Sequence, residues 1–274
     1  ARIKVIRMEF GRQGTERTKW NYKWECYDEL TANLEKRGLS AIYIFDYSSS
    51  LYEESVVSKD SKTDKEQKIL SSPQHPESID AFARWAAAAA EHFKGSKIIW
   101  EIWNEPNINQ FWKPTADVAQ YTALALATCK AVKAAVPDAI IIGPATSTIP
   151  FPFLESFLAS GVLEYLDAVS VHPYRNYSRS PETASTDYEK LRELIDRYAP
   201  AKKRGMPIIS SEWGYSTFNK GVTLETQSAY INRRQFGKLH SGIPISIWYA
   251  VKHDGNEPAE REHNLGTVRT DLTP

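Results

Sequence analysis

Short runs dense in β-branched and aromatic residues recur along the chain, each followed by a longer stretch with apolar positions at helical spacing. The runs are Ile3 to Phe10, Ala41 to Asp46, Lys97 to Trp103, Ala139 to Gly143, Ala168 to Val171, Pro207 to Ser211 and Pro244 to Tyr249. Their length, composition and flanking Gly or Pro predict buried strands. Between them, Tyr27 to Arg37, Ile79 to Phe93, Asp117 to Val136, Asp187 to Tyr198 and Leu224 to His240 predict amphipathic helices. Strands alternating with helices predict a parallel sheet and an α/β fold. Seven strands fall one short of a closed (β/α)8 TIM barrel. The chain opens inside a strand and stops soon after the last one. The expectation is therefore a barrel lacking its first βα unit and, counted to the end, its last helix. The alternative is an eighth strand hidden within Ser48 to Pro76. The stretch from Ser55 to Pro76, rich in Ser, Lys, Asp and Gln, reads as a long solvated loop on the face where barrel loops build active sites. No linker or composition break interrupts the pattern, so residues 1–274 are expected to form one domain.

A length of 274 residues suits one barrel of about 250 residues. With 34 basic and 34 acidic residues the formal charge is zero, which gives no electrostatic case for nucleic acid or an anionic membrane. A neutral substrate fits this balance. Self-association is expected if the barrel is open, because an unpaired strand edge invites another chain. The two cysteines, Cys26 and Cys129, sit in helical patterns and read as packing residues rather than a bridge. No run approaches the roughly 18 apolar residues of a membrane span. The compartment stays open, with a secreted or periplasmic location slightly ahead of the cytoplasm. No cofactor is implied. The stretch His253 to His263 collects acidic and His residues but lacks paired His at helical spacing, so no metal is assigned to it.

Chemistry concentrates at two strand ends, Ile102-Trp103-Asn104-Glu105-Pro106-Asn107 and Ile208-Ile209-Ser210-Ser211-Glu212-Trp213-Gly214. Catalytic side chains of such barrels project from the carboxyl ends of strands. Two carboxylates there are what glycosidic hydrolysis needs, one to protonate the leaving oxygen and one to attack or to activate water. Trp-Asn-Glu-Pro and Ser-Glu-Trp-Gly, with Val169-Ser170-Val171-His172-Pro173-Tyr174 and Ile247-Trp248-Tyr249 between and after them, resemble the motifs of glycoside hydrolase clan A. The phrasing is most similar to family 39, with family 5 next, and the match runs from about Ile3 to Asp271.

The resemblance implies a retaining β-glycosidase acting on a β-linked neutral polysaccharide or oligosaccharide. It makes Glu105 the acid/base and Glu212 the nucleophile. The neighbours of Glu105, namely Trp103, Pro106, Phe111 and Trp112, are desolvating, an environment that favours a protonated acid. Asn104 is expected to donate to the sugar 2-hydroxyl, and Arg7 and Tyr174 to hold Glu212. His172 is expected to line the same pocket, and Trp248 to form the floor under the sugar. Trp112, Trp213 and Tyr215 are candidates for outer sugar subsites, and Trp20, Trp24, Trp85 and Trp100 for packing. Glu101 is expected to pair with Arg7 inside the barrel. The competing reading is a carbohydrate-binding pseudoenzyme or an inactive piece of such an enzyme.

Overall fold

The computed structural model describes residues 3–59 and 66–273. In chain order the elements are β1 (Val5–Gly11), α1 (Arg12–Thr15), β2 (Glu16–Thr18), β3 (Asn21–Tyr22), α2 (Glu25–Lys36), β4 (Ser40–Asp46), β5 (Ser55–Lys59), β6 (Glu66–Leu70), α3 (Pro76–His92), β7 (Ile98–Ile102), α4 (Val118–Ala135), β8 (Ile140–Ser147), α5 (Phe151–Leu158), β9 (Ala168–His172), α6 (Ser185–Tyr198), β10 (Ile208–Ser210) and α7 (Leu224–His240). The central sheet runs β1-β4-β7-β8-β9-β10 with every pair parallel.

This sheet is curled. β1 and β10 lie five spacings apart in the hydrogen-bonding order, roughly 24 Å if the sheet were flat. Yet Arg7 Nη1, on β1, lies 2.8 Å from Glu212 Oε2, just past β10. Only a sheet rolled into a barrel wall brings these side chains together. Ile42, Ile142, Ala168 and Ile209 pack in its interior with Val5, Ile99, Ile245 and Ile247. The opposite strand faces meet the helices through Phe10, Tyr43, Phe45 and Trp100, among others. Burial on both faces explains why the strands read as near-continuous apolar runs. Ala86, Ala89 and Ala90 of α3 and Ala125 of α4 are buried small residues, which let these neighbouring helices approach closely. Asp117 caps α4 by accepting from Gln120 N at 2.9 Å.

The seventh predicted strand, Pro244 to Tyr249, lies parallel beside β10 but holds only one bridge, Ser210 to Ser246. Ile245 O accepts from Ser210 N at 3.1 Å, and Ile247 N donates to Ser210 O at 2.9 Å. Among the described residues nothing pairs with its far side or with the outer edge of β1. Between these two edges lies a slot.

The stretch from Ser55 to Pro76 departs from the expected loop. β5 and β6 form an antiparallel hairpin, with Val56 opposite Ile69 and Val57 opposite Lys68. They pair with each other and not with the barrel sheet, so the described part of Ser48 to Pro76 supplies no eighth barrel strand. A second hairpin, β2–β3, and the short helix α5 were not expected. Trp85 and Trp100 are buried as expected, but Trp20 is 51% exposed, its ring covered on one side by the Arg84 guanidinium at 4.1 Å. Cys129 is a buried packing residue, whereas Cys26 is exposed. Among the described residues no helix is long and apolar enough to cross a membrane.

Candidate active site

The loop after β7 carries the first glutamate in a strained backbone. Trp103 and Glu105 have φ of 67° and 45°, a left-handed region that costs non-glycine residues about 1–3 kcal/mol each. The conformation is held from both sides, since Trp103 N donates to Phe45 O at 3.1 Å and Glu105 N to Ala145 O at 2.9 Å. Asn107 then ties the loop to the end of β8, accepting from Ser147 N at 2.8 Å and donating to Ser147 O at 3.1 Å. Glu105, 8% exposed, is thereby aimed at the barrel mouth. The second glutamate leaves β10 where Gly214 allows the chain to pass the next segment. A Cβ at Gly214 would collide with the carbonyl oxygen of Tyr249, whose own N–H donates to Trp213 O at 3.2 Å.

Arg7 organises the centre. Its Nε donates to Glu101 Oε2 at 2.5 Å, Nη1 to Glu212 Oε2 at 2.8 Å and Nη2 to Asn104 Oδ1 at 2.8 Å. Burial works against the guanidinium charge, and Glu101 and Glu212 overcome it. Because Arg7 is a pure donor, it fixes Oδ1 of Asn104 toward itself and leaves the amide Nδ2 free to donate elsewhere. Tyr174 Oη donates to Glu212 Oε1 at 2.7 Å. Burial alone would raise the Glu212 carboxyl. The fields of His172 and Arg7, the Tyr174 hydrogen bond and Arg261 together hold it below the ordinary range. Tyr174 itself is pushed up by burial and by Glu212, so it remains a donor.

His172 sits between the two carboxylates, its Nδ1 2.9 Å from Glu105 Oε1 and 4.0 Å from Glu212 Oε1. One carboxylate oxygen of each glutamate and a ring nitrogen of His172 lie within 4.8 Å of one another. Three such atoms are close enough to hold an ion, but Arg7 already supplies the positive charge on Glu212. Arg7, Asn104, Glu105, Tyr174 and Glu212 line a cavity of about 890 Å3 that also touches Tyr47, Phe111, Trp248, Tyr249, Arg261 and Glu262, whereas His172, expected to line it, does not reach it.

The structure thus brings together Glu105, Glu212, Arg7, Asn104 and Tyr174, with Trp248 on the cavity wall and His172 buried behind the glutamates. It does not bring in Trp112, Trp213 or Tyr215. Trp112 is fully buried against Trp103 and Tyr121, and Trp213 is 1% exposed beneath the cations of Arg234 and Lys238. Tyr215, also fully buried, packs on Trp213 and Tyr230. None of the three presents a face to a sugar. Phe111, expected beside Glu105, lines the cavity, whereas Tyr47 and Arg261 were not expected in the site. Tyr47 directly follows β4, so its strand-end position was the available signal. Arg261 lies in an irregular segment, and its distance from the last strand hid it.

Two strand-end glutamates at the mouth of a parallel barrel, one held by arginine and tyrosine and the other beside a histidine, define the class of glycoside hydrolase barrels. Within it, the chain belongs to the cellulase family, glycosyl hydrolase family 5, whose sequence pattern matches residues 1–253. A β-xylosidase of Geobacillus stearothermophilus is 28% identical over 152 residues, 49% of this chain and 30% of that protein. Among solved structures, a family 39 glycoside hydrolase from the gut symbiont Bacteroides cellulosilyticus WH2 superposes with a TM-score of 0.81 at 22% identity, covering 98% of this chain and 55% of that one. A monomeric β-xylosidase from Caulobacter crescentus CB15 follows at 0.74 and 21% identity, covering 98% and 59%. At these identities the structural likeness is one of fold, and the chain spans little more than half of those structures. Families 39 and 5 are the two that the motifs pointed to.

Proposed function

We propose that this chain is the catalytic barrel of a retaining β-glycosidase that cleaves β-linked neutral polysaccharide or oligosaccharide by double displacement. The observation that carries the reading is the approach of Glu105 and Glu212 oxygens to within 4.8 Å around His172. Retaining enzymes hold their carboxyl groups about 5–5.5 Å apart, whereas inverting enzymes need about 6.5–9.5 Å to admit a water. Glu212 is kept ionised by Arg7, His172 and Tyr174, as suits a nucleophile. Glu105 is buried with His172 as its hydrogen-bonding neighbour.

In the first step a Glu212 oxygen attacks the anomeric carbon while Glu105 gives its proton to the departing glycosidic oxygen. The glycosidic bond breaks, leaving a glycosyl ester on Glu212. In the second step Glu105 takes a proton from water, whose oxygen attacks the same carbon, and Glu212 leaves as carboxylate. Asn104, its amide turned outward by Arg7, is suited to donate to the sugar 2-hydroxyl as charge develops. The names of the relatives make aryl β-xylosides the first substrates to try. The test is a 2-deoxy-2-fluoro β-glycoside that forms the ester but releases it slowly. Peptide mapping should find the sugar on Glu212, and a label on any other residue refutes the assignment. The open slot beside β1 favours a second reading, sugar binding without turnover, which predicts ligand binding but no label at all.

A further inference from the structure

Behind β10, on the side facing α7, the chain buries positive charge without an answering negative one. Arg234 and Lys238 stand one turn apart on α7 and are 1% and 2% exposed. Among the described residues neither has a carboxylate within ion-pair distance. Nearby Arg175, by contrast, has Asp187 at 2.6 Å. Arg234 donates to Trp213 O at 3.1 Å and to Ser246 Oγ, while Lys238 donates to Ser210 Oγ and, at 3.1 Å, to Ser246 Oγ. Ser246 therefore accepts from two cations and keeps a hydroxyl proton to give away. Arg234 Nε and Trp213 Nε1 are buried donors with no partner, and Lys238 has a third N–H. The Trp213 ring lies 4.7 Å from Lys238 Nζ and 5.8 Å from the Arg234 guanidinium carbon.

Every polar group in this cluster except the Trp213 carbonyl has a proton to donate, and acceptors are short. An isolated buried cation is among the costliest groups a protein can hold, and two side by side add repulsion. Burial lowers Lys238 well below its ordinary range and Arg234 to about 10, with Arg234 itself contributing to the Lys238 shift. An oxyanion would satisfy the charge and the orphan donors at once. The route exists, because Lys238, Ser246 and Gln235 line the wall of the slot that separates β1 from Ile243–Val251.

We propose that Arg234 and Lys238 form a binding site for a small oxyanion of the phosphate, sulfate or carboxylate class, entered from the slot through the Lys238–Ser246 wall. The site uses residues other than the glutamate pair, although both open into the same cavity, and it stands whether or not the chain turns over a glycoside. Its position gives it a structural consequence: Ser210 and the Trp213 carbonyl, both held by these cations, flank Glu212 on the chain. An anion that draws the cations together steadies the segment carrying that carboxylate.

Calorimetric titration of the full chain with inorganic phosphate, against chloride at matched ionic strength, should show saturable binding. At about one hundred times Kd the melting temperature should rise by roughly 5–10 °C. Parallel titrations with sulfate and acetate rank tetrahedral oxyanions against carboxylates. Lys238→Met and Arg234→Met should each weaken binding at least tenfold, and unchanged affinity in both variants overturns the site. If either variant fails to fold, the wild-type chain still decides. Phosphate should slow acetylation of Lys238, read by mass spectrometry, relative to exposed lysines. An absence of saturable heat in the millimolar range, or unchanged Lys238 labelling, overturns the proposal.

Discussion

Replacing Arg7 by methionine keeps an apolar stem of similar length while removing the one charge that faces both Glu101 and Glu212. Glu101 has no exposure at all and the Glu212 side chain only 15%. Taking one partner from a buried ion pair leaves an uncompensated charge and costs about 3–5 kcal/mol. For a chain of this size that corresponds to a fall in Tm of roughly 6–20 °C. The loss depends on pH in a defined direction. Glu212 is depressed in the folded state, so its contribution is present above the ordinary carboxylate pKa and is lost as pH falls through the folded value. Without Arg7 the Glu212 carboxyl rises. The Tm gap between variant and wild type should narrow in acid, and the acid limb of kcat/KM should move to higher pH. Melting followed by circular dichroism at a series of pH values, with kcat/KM on an aryl β-glycoside over the same range, reads both effects. The Arg7→Met/Glu101→Gln double variant should recover much of the stability, because it removes the fully buried charge, but not the acid limb. A Tm within about 1 °C of wild type, or an acid limb that stays put, would refute the account of Arg7.

For Glu105→Ala, turnover should fall far more on natural β-glycosides than on aryl glycosides with good leaving groups, and added azide should restore it with formation of a β-glycosyl azide; equal losses without rescue would make the residue structural. Tyr174→Phe removes one charge-assisted hydrogen bond of about 1.5–3 kcal/mol, so kcat/KM should drop roughly ten- to a hundredfold and Tm should fall by roughly 3–12 °C; a change of less than threefold in kcat/KM would exclude the Tyr174 bond from the reaction. Asp46 is fully buried with neither carboxylate oxygen bonded, and burial followed by Glu9 pushes it well above the ordinary range. A raised acid stabilises below its unfolded pKa and forfeits this as pH rises, so Asp46→Asn should raise Tm at neutral pH by about 2–4 °C for each kcal/mol recovered and leave acid stability alone; a variant that melts lower at pH 7 would contradict this.

The strands and the two glutamates were legible because both signals are local. A buried parallel strand is an apolar run, and side chains just past its end face the barrel mouth, so the positions of Glu105 and Glu212 there could be placed by counting. Arg7 was legible only through the resemblance, because it is the third residue of β1 rather than one just past a strand end, and its partners lie 94 and 205 residues away. What failed was the reading of aromatic residues. Trp112 and Trp213 adjoin the motifs in sequence, but adjacency does not say which side of the barrel wall a ring occupies. Trp213 follows Glu212 directly and turns outward to roof a cationic cluster, while Glu212 turns inward. The hairpin β5–β6 was hard to read because it is largely polar and exposed: Val57 is 63% exposed and Glu66, Gln67 and Lys68 are exposed, leaving only Val56, Ile69 and Leu70 half-buried.

Helix α7 shows how a correct periodicity can mislead about direction. Its boundaries were legible, and Leu224, Phe236 and Leu239 invite the reading that they face the core. They are instead 56%, 70% and 72% exposed. Gln227, Ile231, Arg234 and Lys238 recur at spacings of four, three and four, which is an equally good helical face, and the structure turns this face inward. Hydrophobicity alone would choose the other orientation. Hydrogen bonding decides against it: Gln227 donates to Tyr215 O at 2.8 Å, and Arg234 and Lys238 engage Ser210, Ser246 and the Trp213 carbonyl. Ser210 ends the short apolar run of β10, and Ser246 interrupts the next one, so a polar pair on the outer barrel wall was written into the sequence opposite two cations on the helix that follows β10. Leu239, left outside, lines the slot with Ile3 and Val251, and the apolar edge there matches the unpaired backbone of β1. The same rotation of α7 that buries its charges is therefore what makes the slot apolar at its rim and cationic at its depth.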